Sequence, residues 1–290
     1  MSVMVSRLRV FARRCTGVVL LLALAACTRD AGHVVFHAEG NPPALSDWRL
    51  LHVGDGALQL NEGVVPYDLN TPLFSDYAHK LRTVWLPPGT AAKYAADGSL
   101  DFPVGTIISK TFWYPLPAGA AAGGKVVLAN DTHTPALTNG ALPLRDVRLV
   151  ETRLLVRRAA GWVALPYVWN DEQTEAVLAR AGDELPLQLA REDGRREDFT
   201  YVVPNSNQCA GCHATDNKAR VLEPIGPKAR HLNRDFTYAD GKENQLAHLA
   251  RIGYLVGAPA PDAAPRNADW QDPTRSIEHR ARAYLDINCG

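Results

Sequence analysis

Methionine is all but missing from this 290-residue chain, with Met1 and Met4 the only two. No thioether is therefore on offer as a metal ligand anywhere past residue 4. Cysteine is nearly as scarce, at 5. Loss of an N-terminal leader carrying Cys15 would leave Cys27, Cys209, Cys212 and Cys289, too few for a disulfide framework. No apolar run reaches the ~20 residues that cross a bilayer; "GVVLLLALAA", Gly17 to Ala26, falls short. There is no basic stripe to follow phosphates, so nothing points to a nucleic-acid partner. Net charge is zero but unevenly spread: residues 1–26 hold Arg7, Arg9, Arg13, Arg14 and no acid. Taking those 4 from 31 bases leaves 27 against 31 acids, a mildly acidic remainder. The apolar fraction of 46% and charged fraction of 21% permit an ordinary globular core.

What is present begins with that leader. A basic stretch followed by a short apolar one is the pattern of an export signal, residues 1–26. It closes on Leu24-Ala25-Ala26-Cys27, which resembles the lipobox of bacterial lipoproteins. The resemblance implies lipidation of Cys27 as the first mature residue. An ordinary signal cleaved after Ala26, with Cys27 incidental, is the plainer alternative. Thr28, rather than an acid, follows the cysteine. In that family this implies a lipid anchor on the periplasmic side of the outer membrane.

Residues 27–45 are polar with Gly and Pro and read as a tether. Residues 46–204 read as an antiparallel β domain, sandwich or barrel. "RTVWL" (82–86), "GTIISKTFWYPL" (105–116) and "GKVVLAN" (124–130) are rich in β-branched and aromatic residues and bounded by turn signals. Two hairpins are expected, turning at Ala159-Ala160-Gly161 and at Glu192-Asp193-Gly194. One helix is expected at 172–181. After Pro204 strand signals fade into an α and irregular segment, making the whole α+β. Residues 205–265 form a segment around Cys209, Cys212 and His213, with a helix near 242–255. Residues 266–290 open a further helix at Asp272-Pro273, with Ile277, Ala281, Tyr284 and Leu285 as its apolar stripe.

The chemistry-bearing motif is Cys209-Ala210-Gly211-Cys212-His213, or C-x-x-C-H, the attachment signature of haem c. Two residues between the thiols let both sulfurs reach the vinyl groups on one porphyrin edge, and the next histidine then falls under the iron. Chance alone gives such a pentad here with probability roughly 0.003, from the counts of Cys and His. A zinc knuckle would need a second ligand pair, which is lacking. A thioredoxin-type pair would need a βαβ setting, and "PNSNQ" precedes this one. A plain disulfide remains open.

With methionine excluded, the ligand opposite His213 is a histidine, a lysine or nothing. His231 is the first candidate and His248 the second; Lys110, in "FPVGTIISKTF", is an outsider. That stretch resembles one in cytochrome P460, where a lysine cross-links the haem. "EPIGPKARHLNR" (223–234) reads as a stiff cover able to present a carbonyl to the other nitrogen of His213. Arg230 and Arg234 are its candidates for pairing with propionates, and a solvated surface is the alternative.

Taken together, "PYDLNTPLFSDYAHKLRTVWLPPG", "FPVGTIISKTF", "PNSNQCAGCH", "PIGPKARHLNR" and "RARAYLDINCG" resemble a family of bacterial exported dihaem c-type cytochromes. In that family the last motif opens a second C-x-x-C-H. The resemblance implies that Cys289 is the first cysteine of a second haem site, with the sequence broken off inside it. A free thiol at a natural terminus is the alternative. The expectation is a membrane-tethered electron carrier for an unidentified redox partner protein, using covalent haem c. A peroxidase-like or P460-like oxidoreductase with an open iron position is the competing expectation, and a β binding module stapled by haem is a third.

Overall fold

A computed structural model describes residues 32–130, 137–138, 140–214 and 221–289. The leader, with Cys27 and the lipobox-like stretch, lies outside the described residues, as does His133. Strands come first: β1 (Leu51–Gly54), β2 (Ala57–Leu60), β3 (Val65–Tyr67), β4 (His79–Trp85), β5 (Ala92–Lys93), β6 (Ile107–Pro115), β7 (Val126–Leu128) and β8 (Ala141–Pro143). They continue as β9 (Val147–Arg158), β10 (Gly161–Trp169), β11 (Ala176–Leu178), β12 (Asp183–Ala190) and β13 (Arg196–Val203). The remainder is α1 (Cys209–His213), α2 (Ala229–Leu232), β14 (Asp235–Tyr238), β15 (Gly241–Asn244), α3 (Gln245–Arg251), β16 (Leu255–Val256) and α4 (Ile277–Cys289).

Six strands form the central sheet in the order β11-β10-β9-β6-β4-β3, each pair antiparallel. The order is open at both ends, so among the described residues the sheet does not close into a barrel. Side chains alternate across a strand, and cross-strand neighbours share a face. One face carries Leu81, Trp85, Ile107, Leu154 and Leu165, which pack with Leu51, Leu58 and Leu142 of the β1-β2-β8 sheet. Hydroxyls on that face are paired with one another: Thr83 with Ser109 at 2.6 Å and Thr111 with Thr152 at 2.8 Å.

The opposite face is covered in two places. At one end Phe112, Tyr114 and Val150 meet Leu187, Tyr201 and Val203 of the β13-β12-β7 sheet. At the other, Val65, Val84 and Ile108 meet Leu232, Leu246, Leu249 and Ile287 from the segment after Pro204. Residues on both sides of Pro204 thus share one core, and His33–Gly290 forms a single unit.

Both hairpins turn where the sequence places them: β9 and β10 across Ala159-Ala160, and β12 and β13 around Glu192-Asp193-Gly194. Four expectations need correction. The helix expected at 172–181 is a turn followed by β11, because Gln173 takes φ 58 and its side chain bonds the Leu149 amide at 2.5 Å. Residues 33–45, expected as tether, lie against the core: Val34 and Phe36 pack on it, and Val35 donates to the Trp48 carbonyl at 2.9 Å. The helix expected near 242–255 shortens to α3, since Asn244 ends β15 and caps Leu246 at 3.0 Å. The last helix begins at Ile277 rather than Asp272, with the Ser276 hydroxyl accepting from the His279 amide at 3.3 Å.

Candidate functional site

Between the two covers on the second sheet face a cavity of about 180 Å³ remains, open to solvent. Cys209, Cys212 and His213 line it from one side. Asn205 shapes their approach: its side-chain oxygen accepts from the amides of Asn207 at 3.0 Å and Gln208 at 2.9 Å. This turn launches α1 directly from the end of β13. Cys209 is buried, with its Sγ donating to the Asn205 carbonyl at 3.5 Å, while Cys212 is exposed. Both are free thiols, and so is Cys289.

His213 is half-buried and doubly tied to one residue. Its carbonyl accepts from the Glu223 amide at 2.7 Å, and its Nδ1 lies 2.8 Å from the Glu223 carbonyl. A carbonyl only accepts, so Nδ1 carries the proton and Nε2 keeps the lone pair. Burial pushes the ring down to about 4, with the Lys110 charge acting in the same direction. The imidazole is therefore neutral across the physiological range. Glu223 opens the stretch expected to cover the site, and Pro224, Ile225, Gly226 and Pro227 after it line the cavity. That loop is moored to the sheet domain by the Ser99 hydroxyl on the Pro224 carbonyl and the Leu100 amide on the Pro227 carbonyl at 3.2 Å.

The sheet supplies the facing wall. Tyr67, Ile108, Leu155 and Ala164 are apolar, as are Leu69 and Ile287 beside them. Set among them are Arg82, Lys110 and Arg153. Lys110 pairs in register with Arg82 on β4 and with Arg153 on β9, so three cations stand side by side on adjacent strands. Arg82 meets Asp68 at 2.9 Å, and Arg153 meets the fully buried Glu151 at 2.5 and 2.7 Å, Tyr201 also donating to Glu151 at 2.7 Å. Burial first, then the Arg153 and Arg82 charges, push Lys110 down to about 7.

Other expected residues lie elsewhere. His231 is fully buried, with Nε2 3.3 Å from Asp286 and Nδ1 3.3 Å from the Asn267 amide, and does not line the cavity. His248 is stacked on Tyr238 at 3.4 Å and bonded to Glu243 at 3.0 Å. Arg230 is committed bidentately to Asp286 at 2.7 and 2.8 Å, and Arg234 to the Leu69 carbonyl at 2.7 Å. Neither arginine lines the cavity; Arg82 and Arg153 stand there instead. Cys289 ends α4, exposed, although Ile287 two residues earlier forms part of the cavity wall. The stripe expected on α4 is also displaced. Ala283 and Ile287 are buried, whereas Ile277 is 81% and Leu285 55% exposed.

The sequence reading treated Lys110 as an outsider and missed Arg82 and Arg153. A signal was present, since each charge stands within two residues of β-branched or leucine side chains in a strand, as in "TIISKTF" and "ETRLLV". Nothing local said that the three positions share a rung. Comparison with protein-family models, with curated proteins and with solved structures finds no match to this chain.

Proposed function

We propose that this chain is a c-type cytochrome that transfers single electrons through a haem held covalently by Cys209 and Cys212, with His213 as axial ligand. The observation that carries this is the His213–Glu223 pair. The C-x-x-C-H motif lines a cavity, and its histidine has Nδ1 bonded to a carbonyl while Nε2 keeps the lone pair. The rest of the lining suits the group: apolar walls for a flat macrocycle, and cations for its carboxylates. Bound there, haem supplies reversible one-electron chemistry at iron. The chain's part would be to fix the imidazole tautomer, to wall the cavity with the 223–227 loop and to set the local charge.

Cys289 is proposed as the first cysteine of a second haem site, on the family resemblance alone. The same resemblance and the lipobox-like end of the leader support a lipid anchor at Cys27, a place on the periplasmic side of the outer membrane, and a redox protein as partner. No helix among the described residues is long and apolar enough to cross a membrane.

Producing the full chain with the haem c maturation machinery tests the reading. Covalent haem should survive denaturation and solvent extraction, Cys209→Ala or Cys212→Ala should remove normal two-bond attachment, and His213→Ala should disturb iron ligation. Wild-type protein without covalent haem would refute it. One observation favours a second reading, an oxidoreductase with an open iron position. Among the described residues no histidine except His213 lines the cavity, and Lys110 is its one amine. A ferrous form that binds carbon monoxide readily favours this reading, and a six-coordinate low-spin spectrum in both oxidation states favours the carrier.

A further inference from the structure

Like charges directly opposite one another in a sheet repel, and burial sharpens the effect. Arg82, Lys110 and Arg153 occupy one rung of three neighbouring strands, all facing the cavity. The two outer members have their own acids, Asp68 and Glu151. Lys110 has none: it makes no hydrogen bond or ion pair among the described residues. On the next rung of this face Lys80 pairs in register with Phe112, and Phe112 with Glu151. The Lys80 and Lys110 ammonium groups lie 5.8 and 5.1 Å from the Phe112 ring centre, and the Arg153 guanidinium lies 4.5 Å from it. An aromatic ring softens such crowding but carries no countercharge.

We propose that the Arg82–Lys110–Arg153 rung is an anion site, with Lys110 its central contact, built to hold a carboxylate or a small oxyanion inside the cavity. Geometry argues for an anion rather than a neutral ligand. Two guanidiniums, each with its own acid, flank a lysine that among the described residues has none, and the surrounding lining offers few other polar side chains. A carboxylate bridging Lys110 and a neighbouring arginine would complete the charge balance of the row with short, charge-assisted bonds. Two sources share that chemistry: a propionate of the haem under the reading above, on which this arm rests, or a diffusible anion reaching the cavity from its open side.

The experiment uses the full chain in two forms, one matured with haem and one made haem-free by Cys209→Ser with Cys212→Ser. Each is titrated with inorganic phosphate and with acetate, as wild type at Lys110, as Lys110→Met and as Lys110→Arg. The haem-free chain should bind one of these anions, Lys110→Met should weaken binding by about tenfold or more, and Lys110→Arg should retain most of it. If the matured protein no longer binds, its own propionate fills the site; if it still binds, the ligand is diffusible. In the matured form Lys110→Met should also lower the haem reduction potential relative to Lys110→Arg, because a lost positive charge favours ferric iron. That readout decides the matter if the haem-free chain proves unstable. Anion binding indifferent to Lys110→Met, or absent from both forms with the potential unmoved, overturns the proposal. Failure of the wild type to acquire haem would instead sink the cytochrome reading and leave the haem-free titration to judge the anion site.

Discussion

The two faces of the central sheet are made from the same six strands and serve opposite ends. On the face toward β1, β2 and β8, leucine, isoleucine and tryptophan fill the space, and each buried hydroxyl named above has a partner. On the other face an apolar rung, Val84–Ile108–Leu155, is followed by the rung Arg82–Lys110–Arg153 and then by Lys80–Phe112–Glu151. The covers over this second face leave the cationic rung facing open space. A sheet evolving only for stability would fill both faces, since a partly desolvated cation lacking an acid is unfavourable. The difference separates two tasks for one sheet: the closed face holds the fold, and the open face holds charge beside Cys209, Cys212 and His213.

The strongest way to break that comparison is to truncate sequence neighbours that point to opposite faces. Leu154 is fully buried on the closed face, while Leu155 lines the cavity. Leu154→Ala should cost about 2–5 kcal/mol by denaturant unfolding, and Leu155→Ala about 1 kcal/mol, because the cavity already leaves that side chain short of contacts. Equal losses would mean the second face is packed as tightly as the first.

Much of this arrangement was legible in the chain, and the illegible part has a physical cause. Strand content and both hairpin turns follow from local chemistry, β-branched runs and short turn residues, so they survive into the fold. The misplaced helix at 172–181 failed because Gln173 is drawn into the core to bond the Leu149 backbone, a partner 24 residues away that no local propensity encodes. Cys209, Cys212 and His213 could be found because their spacing is itself the chemistry. Lys110 could not be ranked, because its neighbours Arg82 and Arg153 are brought beside it only by strand register. His231 illustrates the reverse. Its closeness in sequence to the motif suggested a ligand, whereas α4 delivers Asp286, and the segment before α4 delivers Asn267, to its ring.

A second test uses pH on the haem-free chain in buffer of low anion content. Burial and the flanking arginine charges push Lys110 in the folded chain down to about 7 from the ordinary lysine value near 10.5, so between those limits the unfolded chain binds a proton that the folded chain has released. Stability contributed by this site therefore rises with pH through that window, and below about 7 the charged lysine, crowded by Arg82 and Arg153, is a burden at its full extent. Lys110→Met should raise stability at pH 7 by roughly 1–2 kcal/mol after allowance for solvent and reduce the slope between pH 7 and 10, to which Lys80, pushed down to about 6, also contributes. Added phosphate should narrow the gap by favouring the wild type. A methionine variant less stable than wild type in anion-free buffer would show that Lys110 has a partner on the protein itself.

The smallest expected effect concerns α4, where the sequence placed an apolar stripe on Ile277, Ala281, Tyr284 and Leu285. The helix instead turns Ala283 and Ile287 inward, four residues apart on one face, and Asp286 beside them takes Arg230 bidentately. Asn288 adds a second tie, accepting from the Phe74 amide at 3.1 Å. These polar anchors set the helix rotation, and they leave Ile277 at 81% exposure. A side chain so exposed has little burial to lose, so Ile277→Ser should change stability by less than about 0.5 kcal/mol. Ile287→Ser, by contrast, should be clearly destabilising, since Ile287 is 5% exposed within the core shared with Val84 and Leu249. The measurement is the unfolding midpoint of each variant in denaturant at one pH. A marked loss from Ile277→Ser would mean that this face of α4 is covered in the protein as it exists, and the helix would then belong to an interface rather than to the open surface described here.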